Sequence, residues 1–212
     1  MFKEEARWLN AAIGGVDISP STTVLDIGAS NLEYRTVIQP HIHEFIHKPI
    51  LDRGADIKFM DIKNDLGVDI VIDLTLDDLP DHMFSKKFDV IICCNILEHV
   101  RKRDVFIRNL LRFSRPGTLL VVTVPLVFPK HADPIDTMYR PTADQLIDFI
   151  RAYTKCKVIS SNELVITERE YYVLKPGRIL DYLLLRSFRS LARWYIKPLR
   201  WKVACALLEI QE

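Results

Sequence analysis

Val24-Leu25-Asp26-Ile27-Gly28-Ala29-Ser30 sets the architecture of this 212-residue chain. A short apolar run of β type ends in an acid, a glycine and two small residues. A strand that stops this way leaves its tip open, so a polar ligand can reach backbone amides at close range. The pattern recurs downstream. Lys58-Phe59-Met60-Asp61, Val68-Asp69-Ile70-Val71-Ile72-Asp73 and Phe88-Asp89-Val90-Ile91-Ile92-Cys93-Cys94-Asn95 each carry a polar group at or near the end of an apolar run. In an open parallel sheet, ligands bind outside the carboxyl ends of the strands. Four polar strand ends therefore predict one shared crevice.

Between these runs lie helical patterns. Residues 3–13 read as an amphipathic leading helix stopped by Gly14-Gly15, and Leu32 to Ile38 as a helix broken by Pro40. The segment His41 to Gly54 reads as irregular. Val100 to Phe113 places Val105, Phe106, Leu110 and Phe113 near helical spacing. Arg115-Pro116-Gly117 is a turn before a fifth strand, Thr118 to Val124, rich in β-branched residues. Thr142-Ala143-Asp144-Gln145 is a capping box that opens a helix through Ile150. Segments 157–166 and 170–174 read as late strands. Strands alternating with helices to residue 124 predict right-handed crossovers and an α/β, Rossmann-like, doubly wound, mostly parallel sheet. The expected organisation is one domain over residues 1–175 and a basic, amphipathic, helical extension over 176–212.

Composition bounds the function. With 29 basic and 28 acidic residues the formal charge is +1, so no bulk attraction to nucleic acid is expected. The first residues lack the apolar core of a signal peptide. Leu119 to Phe128, the longest plainly apolar stretch, is too short to span a bilayer. The cysteines (Cys93, Cys94, Cys156, Cys205) show no metal-type spacing, and Cys93 and Cys94 should face opposite sides of a central strand. Buried reduced thiols favour a cytoplasmic compartment.

Taken together, these residues resemble a class I S-adenosylmethionine-dependent methyltransferase over roughly residues 20–150. The subgroup in view is the type-11-like one, associated with small-molecule or surface-polysaccharide methylation. The family's Asp/Glu-x-Gly-x-Gly is matched by Asp26-Ile27-Gly28-Ala29-Ser30, with Ser30 where the second glycine stands. The resemblance implies cofactor contacts from Asp26, Gly28, Ala29 and Ser30. It places the ribose-binding acid at Asp61, followed by Ile62. It places the adenine position at Asp73-Leu74, and strand-4 contacts at Asn95 and Ile96. Asp61 lies farther from Asp26 than the about 20 residues usual for such a pair, which calls for an insertion around residues 40–54. Asn95-Ile96-Leu97-Glu98-His99 is the most specific local match.

After strand 5, His131-Ala132-Asp133-Pro134-Ile135-Asp136-Thr137-Met138-Tyr139-Arg140-Pro141-Thr142 is similar to a segment of methyltransferases found among surface-polysaccharide genes. The resemblance implies a small-molecule or glycan acceptor held by Glu98, His99, Asp136, Tyr139 and Arg140. His131, or Asp133 beside it, would take the proton of an alcohol. A sulfonium methyl is already activated, so alignment and proton removal are the remaining tasks. No residue is assigned to a metal.

Each position has a plainer alternative. Asp26, Asp61 and Asp73 can cap turns or sit as solvated acids, and Asn95 and Glu98 can cap a helix start. Tyr139 and Arg140 can anchor the loop. Three other functions compete: a non-catalytic cofactor-binding or scaffold protein of the same fold, nucleic-acid modification, which the near-zero net charge and the lack of an Asn/Asp-Pro-Pro-Tyr-type strand-4 motif argue against, and a zinc hydrolase using His43-Glu44-Phe45-Ile46-His47. Pro40 before the second motif and Lys48-Pro49 after it leave barely two turns of helix.

Between Lys175 and Lys202 stand eight basic residues and one acid. Arg186, Arg189, Arg193 and Lys197 recur at helical spacing, opposite Leu180, Leu184, Phe188, Leu191 and Tyr195. The expectation is either a packed helix with a solvated arginine face or a peripheral contact of residues 176–202 with the inner membrane surface.

Overall fold

The computed structural model describes residues 1–131, 135–167 and 201–211. Seven strands form one sheet: β1 (Thr23–Ile27), β2 (Asp56–Asp61), β3 (Ile70–Val71), β4 (Val90–Cys94), β5 (Leu119–Val127), β6 (Cys156–Val165) and β7 (Lys202–Ile210). Their order is β3-β2-β1-β4-β5-β7-β6. The pairings β2–β3, β1–β2, β1–β4 and β4–β5 are parallel, whereas β7 runs antiparallel to both its neighbours. The order reverses between β1 and β4, which puts the crevice of a doubly wound sheet at their carboxyl ends.

Period-two alternation splits the core into two layers. Leu25, Ile91, Cys93, Leu120 and Val122 face one side, packed with Phe106, Ile107 and Leu110 of α4 (Arg103–Leu111) and Leu146, Ile147 and Ile150 of α5 (Ala143–Arg151). Val24, Val90, Ile92 and Val121 face the other side, packed with Ala6, Leu9 and Ile13 of α1 (Lys3–Gly14) and with Ile46 and Ile50. Cys93 and Cys94 point to opposite layers as expected, and all four thiols are free. The capping box forms: Thr142 Oγ1 accepts from Gln145 N and Gln145 Oε1 from Thr142 N.

Two expectations are corrected. Residues 41–54 are largely helical rather than irregular. Pro40 does end the preceding π-helical turn (Tyr34–Ile38), but it also opens α2 (Pro40–Ile42), which continues through a second π-helical turn (His43–His47) into α3 (Lys48–Leu51). Lys48 keeps helical angles (φ −58°, ψ −46°) and its N–H reaches the carbonyl of His43. Pro49 then falls in the first turn of α3, where a missing N–H costs little. Burial of Ile46 and Ile50 outweighs the usual bias of a residue before proline.

The second correction concerns the far end of the chain. Residues 202–210 form β7, hydrogen-bonded between β5 and β6, so this stretch belongs to the sheet and not to a helical extension. Val203 to Leu208 is buried throughout. A strand covered on both faces reads as a continuous apolar run, without the alternation that marks a half-exposed strand. The expected strand at 170–174 and the arginine stripe of 186–197 lie outside the described residues. Among the described residues, no helix is long and apolar enough to cross a membrane.

Candidate active site at the strand ends

The turn after β1 is held from both sides. Gly28 and Ala29 donate their N–H groups to the carbonyl of Met60 on β2 (2.8 and 3.1 Å). Gly28 sits at φ +70°, and a Cβ there would stand 2.6 Å from Ile96 Cδ1, so any side chain at this position strains the backbone and requires Ile96 to move. Ser30, the replacement for the expected second glycine, is also left-handed (φ 58°). Its N–H donates to Asp61 Oδ2 at 2.9 Å, while Lys63 N–H donates to Asp61 Oδ1 at 3.0 Å. Asp61 thus clamps the turn and stays at the strand tip beside exposed Ile62. Asp73 Oδ1 accepts from Thr75 N and Oγ1, and buried Leu74 offers its carbonyl to Asn109 Nδ2 of α4. Asp26, Asp61, Asp73 and Asn95 therefore lie at the ends of adjacent parallel strands or in the loops that follow them.

Three residues that shape this site were not anticipated. Asp26 Oδ2 meets Nε2 of buried His47 at 2.8 Å. Asp26 shares a strand face with Val24, the face on which the helical run 40–51 packs, so β-alternation aims its carboxylate at that histidine. The second imidazole of the His43-Glu44-x-x-His47 pattern therefore has its Nε2 engaged by Asp26. Arg35, also buried, donates to the carbonyls of Ser30 (2.9 Å) and Gly67 (2.6 Å), and stacks 3.8 Å over the Phe59 ring. Glu5 of α1 is wholly buried: its Oε1 accepts from Asn95 Nδ2 (2.7 Å) and from Thr123 Oγ1, and its Oε2 from Phe2 N. Asn95 stands in left-handed geometry (φ 54°), held by this contact. Glu5 was detectable, since an acid at position i, with Leu9 at i+4 and Ile13 at i+8, falls on the apolar stripe of the helix.

The acceptor segment folds back over β4. Thr137 donates N–H and Oγ1–H to the carbonyl of Glu98 (2.8 and 2.9 Å), which brings residues 135–140 against residues 96–99. Asp136 is the hub of this loop. It accepts from His131 N (3.1 Å), Met138 N (2.8 Å) and Arg140 Nη2 (2.6 Å). Burial alone would raise its carboxyl, but the Arg140 guanidinium and the two backbone N–H groups hold it well below the usual carboxylate range. Tyr139 turns inward under the Arg103 guanidinium (4.4 Å) and beside Phe149. Tyr139 and Arg140 thus have the anchoring contacts that the plainer alternative called for. Asp133 lies outside the described residues.

Glu98, His99 and His131 come together at the centre. The His99 and His131 rings meet edge-on at 5.0 Å. His131 Nδ1 lies 3.2 Å from Asp136 Oδ2, close but out of hydrogen-bond alignment. Glu98 is fully buried and neither carboxylate oxygen has a hydrogen-bond partner. Burial, with the charge of Glu5 adding to it, pushes this carboxyl up to about 8.

Solved structures share this architecture. The [4+2]-cyclase SpnF superposes with a TM-score of 0.61 at 18% identity, covering 97% of this chain and 80% of its own. Coclaurine N-methyltransferase, bound to N-methylheliamine and S-adenosylhomocysteine, gives 0.57 at 13% identity, covering 98% and 70%. The Burkholderia thailandensis 1,6-didemethyltoxoflavin-N1-methyltransferase gives 0.52 at 14% identity, covering 99% and 78%. At such identities the likeness carries the fold, and the presence of a cyclase shows that the fold alone does not name a reaction. No curated protein matches the chain. A family model described as "Methyltransferase domain" matches residues 5–165, from the buried Glu5 of α1 to the end of β6. With three quarters of its length matched, the chain belongs to the methyltransferase-domain family.

Proposed function

We propose that this S-adenosylmethionine-dependent methyltransferase moves a methyl group to an oxygen of a small-molecule or glycan acceptor by in-line displacement. The observation that carries the reading is the approach of His131, backed by Asp136, to residues 96–99 at the carboxyl end of β4. The residues present suit the cofactor. Asp61 keeps unused lone pairs for a ribose diol beside an exposed apolar Ile62, and Asp73-Leu74 follows on the next strand end. When bound, the cofactor supplies a methyl group already activated on a sulfonium. The chain's tasks are then to seat the acceptor hydroxyl, exclude water and accept its proton. His131 takes that proton on an imidazole nitrogen, and Asp136 stabilises the imidazolium that results.

Coclaurine N-methyltransferase and the toxoflavin N1-methyltransferase act, by name, at nitrogen. The hydroxyl reading rests instead on the need for a base, which His131 meets. Peripheral contact of residues 176–202 with anionic lipid and residence in a reducing, cytoplasmic compartment belong to the same proposal. The free thiols and the spacing of Arg186, Arg189, Arg193 and Lys197 support them.

Calorimetric titration with S-adenosylhomocysteine, combined with single-turnover rates, tests the assignment. His131→Gln should lower the chemical rate on the true acceptor by on the order of 100-fold and leave cofactor affinity unchanged. Equal loss in both would show that the loop shapes the cofactor site instead. No binding of the cofactor product by the wild type would sink the reading.

A further inference from the structure

We infer that Glu98, His99 and His131 form a binding site for a divalent first-row transition-metal ion at the acceptor end of the crevice. One ligand atom from each lies within 4.8 Å of the others. A tetrahedral ion with bonds of about 2.0–2.1 Å needs its ligand atoms roughly 3.3–3.5 Å apart. Modest side-chain rotations close that difference. Two imidazoles and one carboxylate are a ligand set suited to zinc, cobalt or iron, and three protein ligands leave open positions for a substrate oxygen.

The burial pattern independently points to a ligand. Glu98 has a side-chain exposure of 1%, and both oxygens lack a hydrogen-bond partner. A buried carboxyl with no hydrogen-bond partner is costly, and a cation that binds it in its ionised form would offset that cost. His99 is already oriented for ligation. Its Nδ1 lies 2.5 Å from the carbonyl of Ile135, which accepts the ring proton there and leaves the Nε2 lone pair free. That Nε2 stands 3.7 Å from Glu98 Oε1. Metal-binding histidines typically have this arrangement, one nitrogen donating to a carbonyl or carboxylate and the other facing the ion. Asp136 Oδ2 stands 3.2 Å from His131 Nδ1, beside that ring though not in hydrogen-bond alignment with it.

The inference rests on the geometry of the cluster and deepens the methyl-transfer reading: the acceptor would present an oxygen able to ligate metal. With the ion bound, His131 is a ligand and gives up the role of base proposed above: an acceptor hydroxyl on the ion would lose its proton more readily, and that proton would pass to solvent.

The test uses the full chain stripped of metal with a chelator and titrated with Co²⁺ and with Zn²⁺. Co²⁺ should saturate at one equivalent with visible absorption of a nitrogen- and oxygen-ligated ion, and Zn²⁺ should displace it. Glu98→Gln and His131→Gln should each weaken binding at least tenfold while S-adenosylhomocysteine affinity is retained. His131 is partly exposed, so its variant keeps the test open if Glu98→Gln fails to fold. Absence of binding, or binding undiminished in both variants, would overturn the metal site. Because cofactor affinity is read separately, that outcome leaves the methyltransferase reading standing.

Discussion

Gly28 carries two constraints at once. Its φ of +70° is costly for any L side chain, and Ile96 occupies the space a Cβ would need. Ser30 and Asn95 tolerate the left-handed region because each is locked by a hydrogen bond, to Asp61 and to Glu5 respectively. Gly28→Ala should therefore destabilise the protein by about 1–3 kcal/mol, measured by urea denaturation. It should also push Ile96 toward the crevice and weaken S-adenosylhomocysteine binding. A Gly28→Ala protein with unchanged stability and affinity would show that the turn relaxes without cost. Such residue-scale detail is only partly visible in a sequence: Gly28 announces itself, but that Ser30 stands in a glycine's conformation does not.

Elements are joined here by single buried or half-buried carboxylates. Asp89, just before β4, accepts from Thr23 N (2.8 Å) and Thr23 Oγ1 (3.0 Å) of β1 and pairs with Arg115 from the turn before β5. Burial works to raise its carboxyl, yet the Thr23 N–H, Arg115 and the Thr23 hydroxyl hold it below the ordinary value. A folded-state pKa lowered in this way adds stability that is complete above the unfolded value of about 4 and fades as pH falls through the folded value. Asp89→Asn should cost on the order of 1.5–3 kcal/mol at neutral pH. The difference from wild type should shrink as the pH is taken below about 4, as denaturation midpoints across pH would report. A difference independent of pH would assign the loss to packing alone. The pair Phe88-Asp89 was legible as the start of a strand. Its role as a three-element tie needed the parallel register that sets Thr23 beside it.

On the scale of the whole molecule, the candidate chemistry gathers at the carboxyl ends of the central parallel strands, and the densest run of basic residues lies in a separate stretch of the sequence. The segment from Lys175 to Lys202 carries eight basic residues against one acid in a chain of formal charge +1. Each basic residue near an anionic leaflet contributes about 1 kcal/mol, and the attraction decays within a Debye length. Wild-type protein should sediment with anionic vesicles at low salt and release as salt rises. Reversing Arg186, Arg189 and Arg193 to glutamate should abolish sedimentation and leave S-adenosylhomocysteine affinity intact. Failure of the wild type to sediment at low salt would end the membrane proposal.

The sequence alone was enough for the α/β class, the polar ends of β1, β2 and β4, the α5 cap and the family resemblance. These rest on local signals: period-two runs, small residues at strand tips and a capping box, all written within a few neighbouring positions. Tertiary structure alone decided that β7 enters the sheet between β5 and β6, because a strand buried on both faces leaves no alternation to read. It alone gave Glu5 to Asn95 and His47 to Asp26, contacts between residues far apart in the chain. It alone fixed how closely His131 approaches Glu98 and His99, since hydrogen bonds from Thr137 to the carbonyl of Glu98 draw the loop after β5 onto the end of β4. Where a partner lies tens of residues away, the pattern around either residue is silent, and only the packed sheet determines which groups meet.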